Sequence, residues 1–202
     1  MYCELYQNLK IGILALQGAF AEHEHVLDEM GVPYRELRRR EDLDTVYNGF
    51  ILPGGESTVQ SRLLNDLDMF VPLKKQIENG AATLATCAGL ILLARCVEQG
   101  AGSGAEAHVH GGALATMAVT AVRNAYGRQL ASFHAHAPFA GIGDVPMTFI
   151  RAPYIGSLDA DTQALATVDG RIVAAREGNQ LACAFHPELD DDTRIHELFL
   201  SL

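Results

Sequence analysis

One cysteine, one histidine and one glutamate carry the chemistry open to this sequence. Cys87 follows the apolar run Ala82-Thr83-Leu84-Ala85-Thr86 and precedes Ala88-Gly89-Leu90-Ile91-Leu92-Leu93. The first run is short and bounded by Asn79-Gly80, which predicts a buried strand. Leu90, Leu93 and Ala94 recur at helical spacing, which predicts a helix running on toward Cys96. Cys87 then sits on a strand-to-helix elbow. Small residues at Ala85 and Gly89 permit a tight turn that exposes one nucleophilic side chain above the sheet. The first amides of the helix would favour negative charge beside the sulfur, and the Ala88 N–H is placed to hold an oxyanion. A free cysteine serves equally well as a small, inert core residue, so Cys87 alone decides nothing.

His186-Pro187-Glu188 supplies the second half. It follows the apolar run Leu181 to Phe185, read as a strand. In an extended segment residues i and i+2 face the same way, and Pro187 disfavours the helical region at His186. Imidazole and carboxylate are thus expected together at the carboxyl end of a strand, where open α/β sheets bind ligands. Glu188 would orient the ring and His186 would move a proton for a thiol nucleophile. Pro53-Gly54-Gly55-Glu56-Ser57 ends another expected strand. The Gly54 and Gly55 amides complete an oxyanion hole in this reading, and their lack of a Cβ lets the peptide between them rotate. Ser57 is expected to cap the helix that follows.

The elements needed to hold these groups are legible in outline. Strands are expected at Lys10 to Leu16 (a central parallel strand), Pro33 to Leu37 and Phe50 to Leu52. Helices are expected at Phe20 to Met30, closed by Gly31, at Ser57 to Leu64 and at Val71 to Ile77. The βαβα rhythm predicts a parallel sheet covered by helices on both faces. After Cys96, the Gly- and Ala-rich stretch Gln99 to Gly112 reads as a loop. Strand patterns follow at Met117 to Val122, Gln129 to Phe133, Met147 to Ile150, Ala164 to Val168 and Ile172 to Ala175, some of them expected in a small antiparallel flap. Thr193 to Leu200 reads as a closing helix. The whole is expected to be one α/β domain over residues 1–202, with residues 1–9 as a loose tail.

Composition narrows the function classes. A net charge of −10 argues against nucleic acid and anionic membranes as partners. No apolar run reaches transmembrane length, and the N-terminus has no basic cluster of a signal peptide. Cys3, Cys87, Cys96 and Cys183 form no CxxC pair, so reduced thiols in the cytoplasm are expected, with Cys183 in the core. Three His-x-His pairs occur, His23/His25, His108/His110 and His134/His136. Two residues apart on a helix, His23 and His25 diverge, and no acidic or cysteine cluster completes a ligand set, so no metal is expected.

Thr86-Cys87-Ala88-Gly89-Leu90 with His186-Pro187-Glu188 resembles the class I, triad-type glutamine amidotransferases. Within that class the chain is similar to the glutaminase subunits of pyridoxal 5'-phosphate synthase. The matching segments are Leu14-Ala15-Leu16-Gln17-Gly18-Ala19, Leu52 to Thr58, Arg123-Asn124 with Gly127-Arg128-Gln129, Ile150-Arg151-Ala152-Pro153 and Gly170-Arg171-Ile172-Val173-Ala174-Ala175. They keep the family's order over nearly the whole chain. One departure is Ala85, where the family usually has glycine.

The resemblance implies a flavodoxin-like three-layer α/β fold and hydrolysis of L-glutamine to glutamate and ammonia without a cofactor. It also implies delivery of the ammonia to a separate synthase subunit, in a large hetero-oligomer. Cys87, His186 and Glu188 match the triad. Gly55, Glu56, Ser57, Arg123, Ile150 and Arg151 match the glutamine-binding positions. A guanidinium at Arg123 is also a natural partner for an α-carboxylate. Two other functions stay open at this point: a glutaminase of the same class serving another pathway, and an interaction subunit with little activity.

Overall fold

The computed structural model describes residues 6, 8–100, 114–123, 132–159 and 161–202. The first half alternates strand and helix. In order come β1 (Ile11–Leu14), α1 (Phe20–Met30), β2 (Tyr34–Leu37), β3 (Gly49–Leu52), α2 (Ser57–Asp66), α3 (Phe70–Glu78), β4 (Ala82–Thr86) and α4 (Ala88–Leu93). Strands fill most of the rest. These are β5 (Ala94–Gln99), β6 (Met117–Arg123), β7 (Ser132–Phe139), β8 (Gly143–Ile150), β9 (Tyr154–Leu158), β10 (Gln163–Val168), β11 (Arg171–Glu177) and β12 (Gln180–Cys183), followed by α5 (Arg194–Leu200).

The sheet runs β2-β1-β3-β4-β12-β11-β10-β7-β8, with β5, β6 and β9 branching from it. From β2 to β12 every pairing is parallel. Beyond β12 the path turns antiparallel. β1, β3 and β4 are buried along their whole length, as expected of parallel strands covered on both faces. β1 lies next to the outer strand β2 rather than at the centre. The core gathers large side chains from both halves of the chain, among them Phe50, Phe139, Phe149, Phe185 and Phe199.

Several boundaries differ from the sequence reading, each for a tertiary reason. The helix after Cys87 stops at Leu93, because Ala94 begins a strand paired in parallel with β6. β9 gives no clear alternation in sequence, yet it bridges β6 and β11. The strand before His186 ends at Cys183 rather than Phe185. Tyr6 and Leu9 pack against the core, so this part of the expected tail is anchored. Cys3, His108, His110, most of the Gln99 to Gly112 stretch, Asn124 with the Gly127-Arg128-Gln129 segment, and Gln129 as a strand start lie outside the described residues.

Candidate active site

β4 delivers Cys87 at the end of its hydrogen-bonded run. The Cys87 N–H donates to the Cys183 carbonyl at 2.8 Å, which locks the elbow to β12. Cys87 has φ 49° and ψ −99°, a left-handed conformation that costs a non-glycine residue about 1–3 kcal/mol. Such strain persists where the surrounding fold fixes it, and here β4 and α4 do so on either side. Gly89 is required by close approach: a Cβ there would lie 2.1 Å from the Leu52 carbonyl oxygen. Ala85 is fully buried within β4 and is not among the residues with positive φ. Its methyl is therefore compatible with the elbow, and the departure from glycine needs no rearrangement.

His186 and Glu188 meet as expected, through a different local geometry. Pro187–Leu189 forms one 3₁₀ turn rather than an extended segment. The turn folds the carboxylate back onto the ring, and His186 Nδ1 lies 2.6 Å from Glu188 Oε1. With Nδ1 so engaged, Nε2 is the nitrogen left to face Cys87. The ring packs over the Gly54-Gly55 turn, since a Cβ on Gly54 would lie 2.3 Å from His186 Cε1. Burial by itself would push the His186 imidazole down. The hydrogen bonds and charges of Cys87 and Glu188 outweigh it and raise the ring to about 10. Burial would also push the Glu188 carboxyl up, but the His23 and His186 imidazoles bring it below the usual carboxylate range. The site thus favours an imidazolium hydrogen-bonded to the Glu188 carboxylate and facing Cys87.

A cavity of about 290 Å³ opens over Cys87. It is lined by Gly54, Gly55, Glu56, Ser57, Cys87, Ala88, Arg123, Ile150, Arg151 and His186, so the sequence-predicted residues converge on one space. Glu188 lies behind His186. The Ile150 carbonyl oxygen is 3.9 Å from Cys87 Sγ, and Arg151 next to it has φ 44°. Arg123 Nη2 sits 3.4 Å from Glu56 Oε1 across the mouth. Ser57 does not cap α2. Glu56 takes that position, its side chain accepting from the Thr58 N–H at 3.4 Å, and Ser57 is the first helical residue.

Gln17 also lines the cavity, and its residue type and spacing point to no role in the sequence. Its Oε1 accepts from the Glu56 N–H at 2.7 Å, and its carbonyl accepts from Gln60 Nε2 at 2.9 Å. The only sequence signal was its place in the matching segment after β1. Ala19 nearby donates its N–H to the Gly54 carbonyl at 2.9 Å. A trans peptide carries the Gly55 N–H to the opposite side.

The remaining candidate groups have other occupations. Cys183 is fully buried, and burial followed by the Glu188 charge holds its thiol well above the ordinary range. It stays a core thiol and does not compete with Cys87. His25 faces solvent beside Glu29, and His134 Nδ1 lies 2.9 Å from Thr148 Oγ1. No helix among the described residues is long and apolar enough to cross a membrane.

The SNO glutamine amidotransferase family pattern matches residues 13–202. The pyridoxal 5'-phosphate synthase subunit PdxT of Methanocorpusculum labreanum is 53% identical over 194 residues, covering 96% of this chain and 97% of that protein. The protein of the same name from Desulfitobacterium hafniense is 52% identical over 192 residues, covering 95% and 92%. A crystallised glutamine amidotransferase superposes with a TM-score of 0.83 at 36% identity, covering 95% of this chain and 97% of its own. The PurLQS structure from Thermotoga maritima, with a TM-score of 0.61 at 14% identity and 90% and 89% covered, shares the fold. On the extent of the family match and these identities, the chain belongs to the SNO glutamine amidotransferase family.

Proposed function

We propose that the chain is the glutaminase subunit of a pyridoxal 5'-phosphate synthase, hydrolysing L-glutamine to glutamate and ammonia with Cys87, His186 and Glu188 as its triad. The observation that carries the triad reading is the 2.6 Å His186–Glu188 pair set against a cysteine on a strained elbow, with Cys87 and His186 at one cavity. The Cys87 sulfur bonds to the side-chain amide carbon of glutamine. Negative charge gathers on the amide oxygen, where the N–H groups of Ala88 and Gly55 stabilise it. His186 protonates the nitrogen as the C–N bond breaks, and ammonia leaves. A glutamyl thioester remains on Cys87. The neutral imidazole then takes a proton from water, the water oxygen attacks the thioester, and the C–S bond breaks to release glutamate. The chain's own side chains and backbone amides supply every step.

Arg123 is assigned to the α-carboxylate of glutamine, exchanging its contact with Glu56 for the substrate. Arg123→Ala is expected to raise KM for glutamine by about 10- to 100-fold, the worth of a hydrogen bond to a charged group. The expected change in kcat is smaller, because ground and transition states share the contact. Steady-state kinetics check this, and an unchanged KM removes Arg123 from the site.

The partner in this reading is the synthase subunit that consumes the ammonia. One Ala19 N–H bond to the Gly54 carbonyl, a net hold of about 1 kcal/mol, keeps the oxyanion peptide in place, and two glycines leave it free to turn. A docked partner is expected to raise kcat by up to about 10²–10³-fold, the worth of one oxyanion donor, to the extent that the free chain rests with this peptide turned away. Ammonia release from glutamine with and without the cognate synthase subunit tests both the function and its dependence on the partner. Full activity in the isolated chain would sink the dependence. No ammonia release in either condition would sink the function. We assign the chain to the cytoplasm, supported by the free thiols Cys87, Cys96 and Cys183.

A further inference from the structure

Behind the triad lies a buried polar chain that the mechanism above does not use. His23, in the first turn of α1, is fully buried and touches three other elements. Its Nε2 lies 3.4 Å from Glu188 Oε2 and 3.2 Å from Thr86 Oγ1. Its Nδ1 lies 3.0 Å from Nε2 of His196, itself fully buried on α5. Thr86 Oγ1 in turn accepts the Gly54 N–H at 3.0 Å. One imidazole therefore adjoins the triad carboxylate, the residue before Cys87 and, through Thr86, the oxyanion turn.

The protons on this chain can be assigned from what each nitrogen faces. Burial lowers both rings, His196 to about 3, so each carries one proton. His196 Nδ1 has no hydrogen-bond partner among the described residues. A proton there would be a buried, unpaired donor, so the His196 proton belongs on Nε2, donated to His23 Nδ1. The His23 proton then sits on Nε2, between Glu188 Oε2 and Thr86 Oγ1. The opposite tautomer would turn a lone pair on a carboxylate. Glu188 Oε2 makes no hydrogen bond among the described residues, and His23 Nε2 stands at ion-pair distance from it. The 3.4 Å contact is long, as such contacts are before substrate binds.

We propose that His23 is a positioning residue for the triad: its Nε2–H, fixed in tautomer by His196, holds Glu188 Oε2 and Thr86 Oγ1 together, so that the carboxylate, the cysteine elbow and the Gly54 turn keep one mutual geometry. The proposal rests on the triad assignment above. His23 does not line the cavity, so its loss acts on kcat rather than on glutamine binding.

Three variants at one position separate positioning from space-filling. Glutamine places an N–H near the former Nε2, asparagine places one near the former Nδ1, and leucine places none. His23→Leu and His23→Asn are expected to lower kcat by about 10- to 100-fold, as lost orienting partners do elsewhere, with KM for glutamine within about twofold. His23→Gln is expected to keep kcat within about threefold of the parent. Glutamine and asparagine both fill the site with a polar amide, so their comparison stands even if the leucine variant does not fold. Equal kcat for His23→Gln and His23→Asn would overturn the proposal, as would a parent-like His23→Leu. Assays of Cys87→Ser and His186→Ala in the same preparation separate the two levels. If those remain active, the triad assignment fails whatever His23 does. If they are inactive and the His23 series is flat, only the positioning role fails.

Discussion

Cys87→Ser is expected to lower glutamine turnover by about 10⁴-fold or more, on the scale of losing a nucleophile from an acyl-transfer triad. A serine hydroxyl is far less acidic than a thiol and a weaker nucleophile at neutral pH. His186, raised to about 10 by its contacts with Cys87 and Glu188, would also lose one of the two. Its freedom to act as a base toward the new hydroxyl would still be limited by Glu188, which keeps it charged. The fold should be unaffected. The change swaps one atom, opens no cavity of consequence, and leaves the elbow backbone as strained as before. Ammonia release measured beside thermal unfolding checks both halves. Near-parent turnover in a folded sample would remove Cys87 from the mechanism.

His186→Ala should be nearly as damaging, about 10³-fold or more in kcat, because the group that moves the proton is gone. Glu188→Gln should lose less than His186→Ala in the same assay, below about 10³-fold in kcat. An amide oxygen still accepts the His186 Nδ1–H at the 2.6 Å contact, so the ring stays oriented. Charge is what changes. The Glu188 carboxylate helps raise the imidazole to about 10, and without it the ring loses its proton at lower pH. Protonated His186 is the form that feeds the departing nitrogen, so the alkaline limb of kcat moves to lower pH in Glu188→Gln. The pH profile of kcat for parent and variant checks the sign. An alkaline limb that stays put or rises, or a Glu188→Gln slower than His186→Ala, would reverse the roles assigned to the two residues.

The local features of this chain were legible from sequence because their causes are local. The helix Phe20–Met30 ends at Gly31 in left-handed conformation, φ 68°, where apolar spacing and a glycine stop said it would. The cysteine elbow was visible in an apolar strand, a small-residue bracket and a helical pattern. The proposed triad residues, and the turn at Gly54-Gly55, were visible in the same way and in the segments shared with the amidotransferases. That His25 and His23 point apart followed from helix geometry alone.

What the sequence could not supply was which distant segments meet. Cys87 reaches His186 because β4 and β12 pair in parallel, Thr86 against Cys183, and strand pairing leaves no mark in the period of either strand. The pattern of Leu90, Leu93 and Ala94 predicts a helix beyond Leu93, where the structure has a strand. Pairing of Ala94–Gln99 with β6 outweighs that weak local preference. Gln17 enters the site because the turn after β1 abuts the turn after β3. In sequence His23 is one member of a His-x-His pair with no assigned role, and only the fold sets it against Glu188, Thr86 and His196. Types and spacings determined what chemistry this chain is equipped for. Only tertiary packing, which is non-local, decided which buried groups stand behind it.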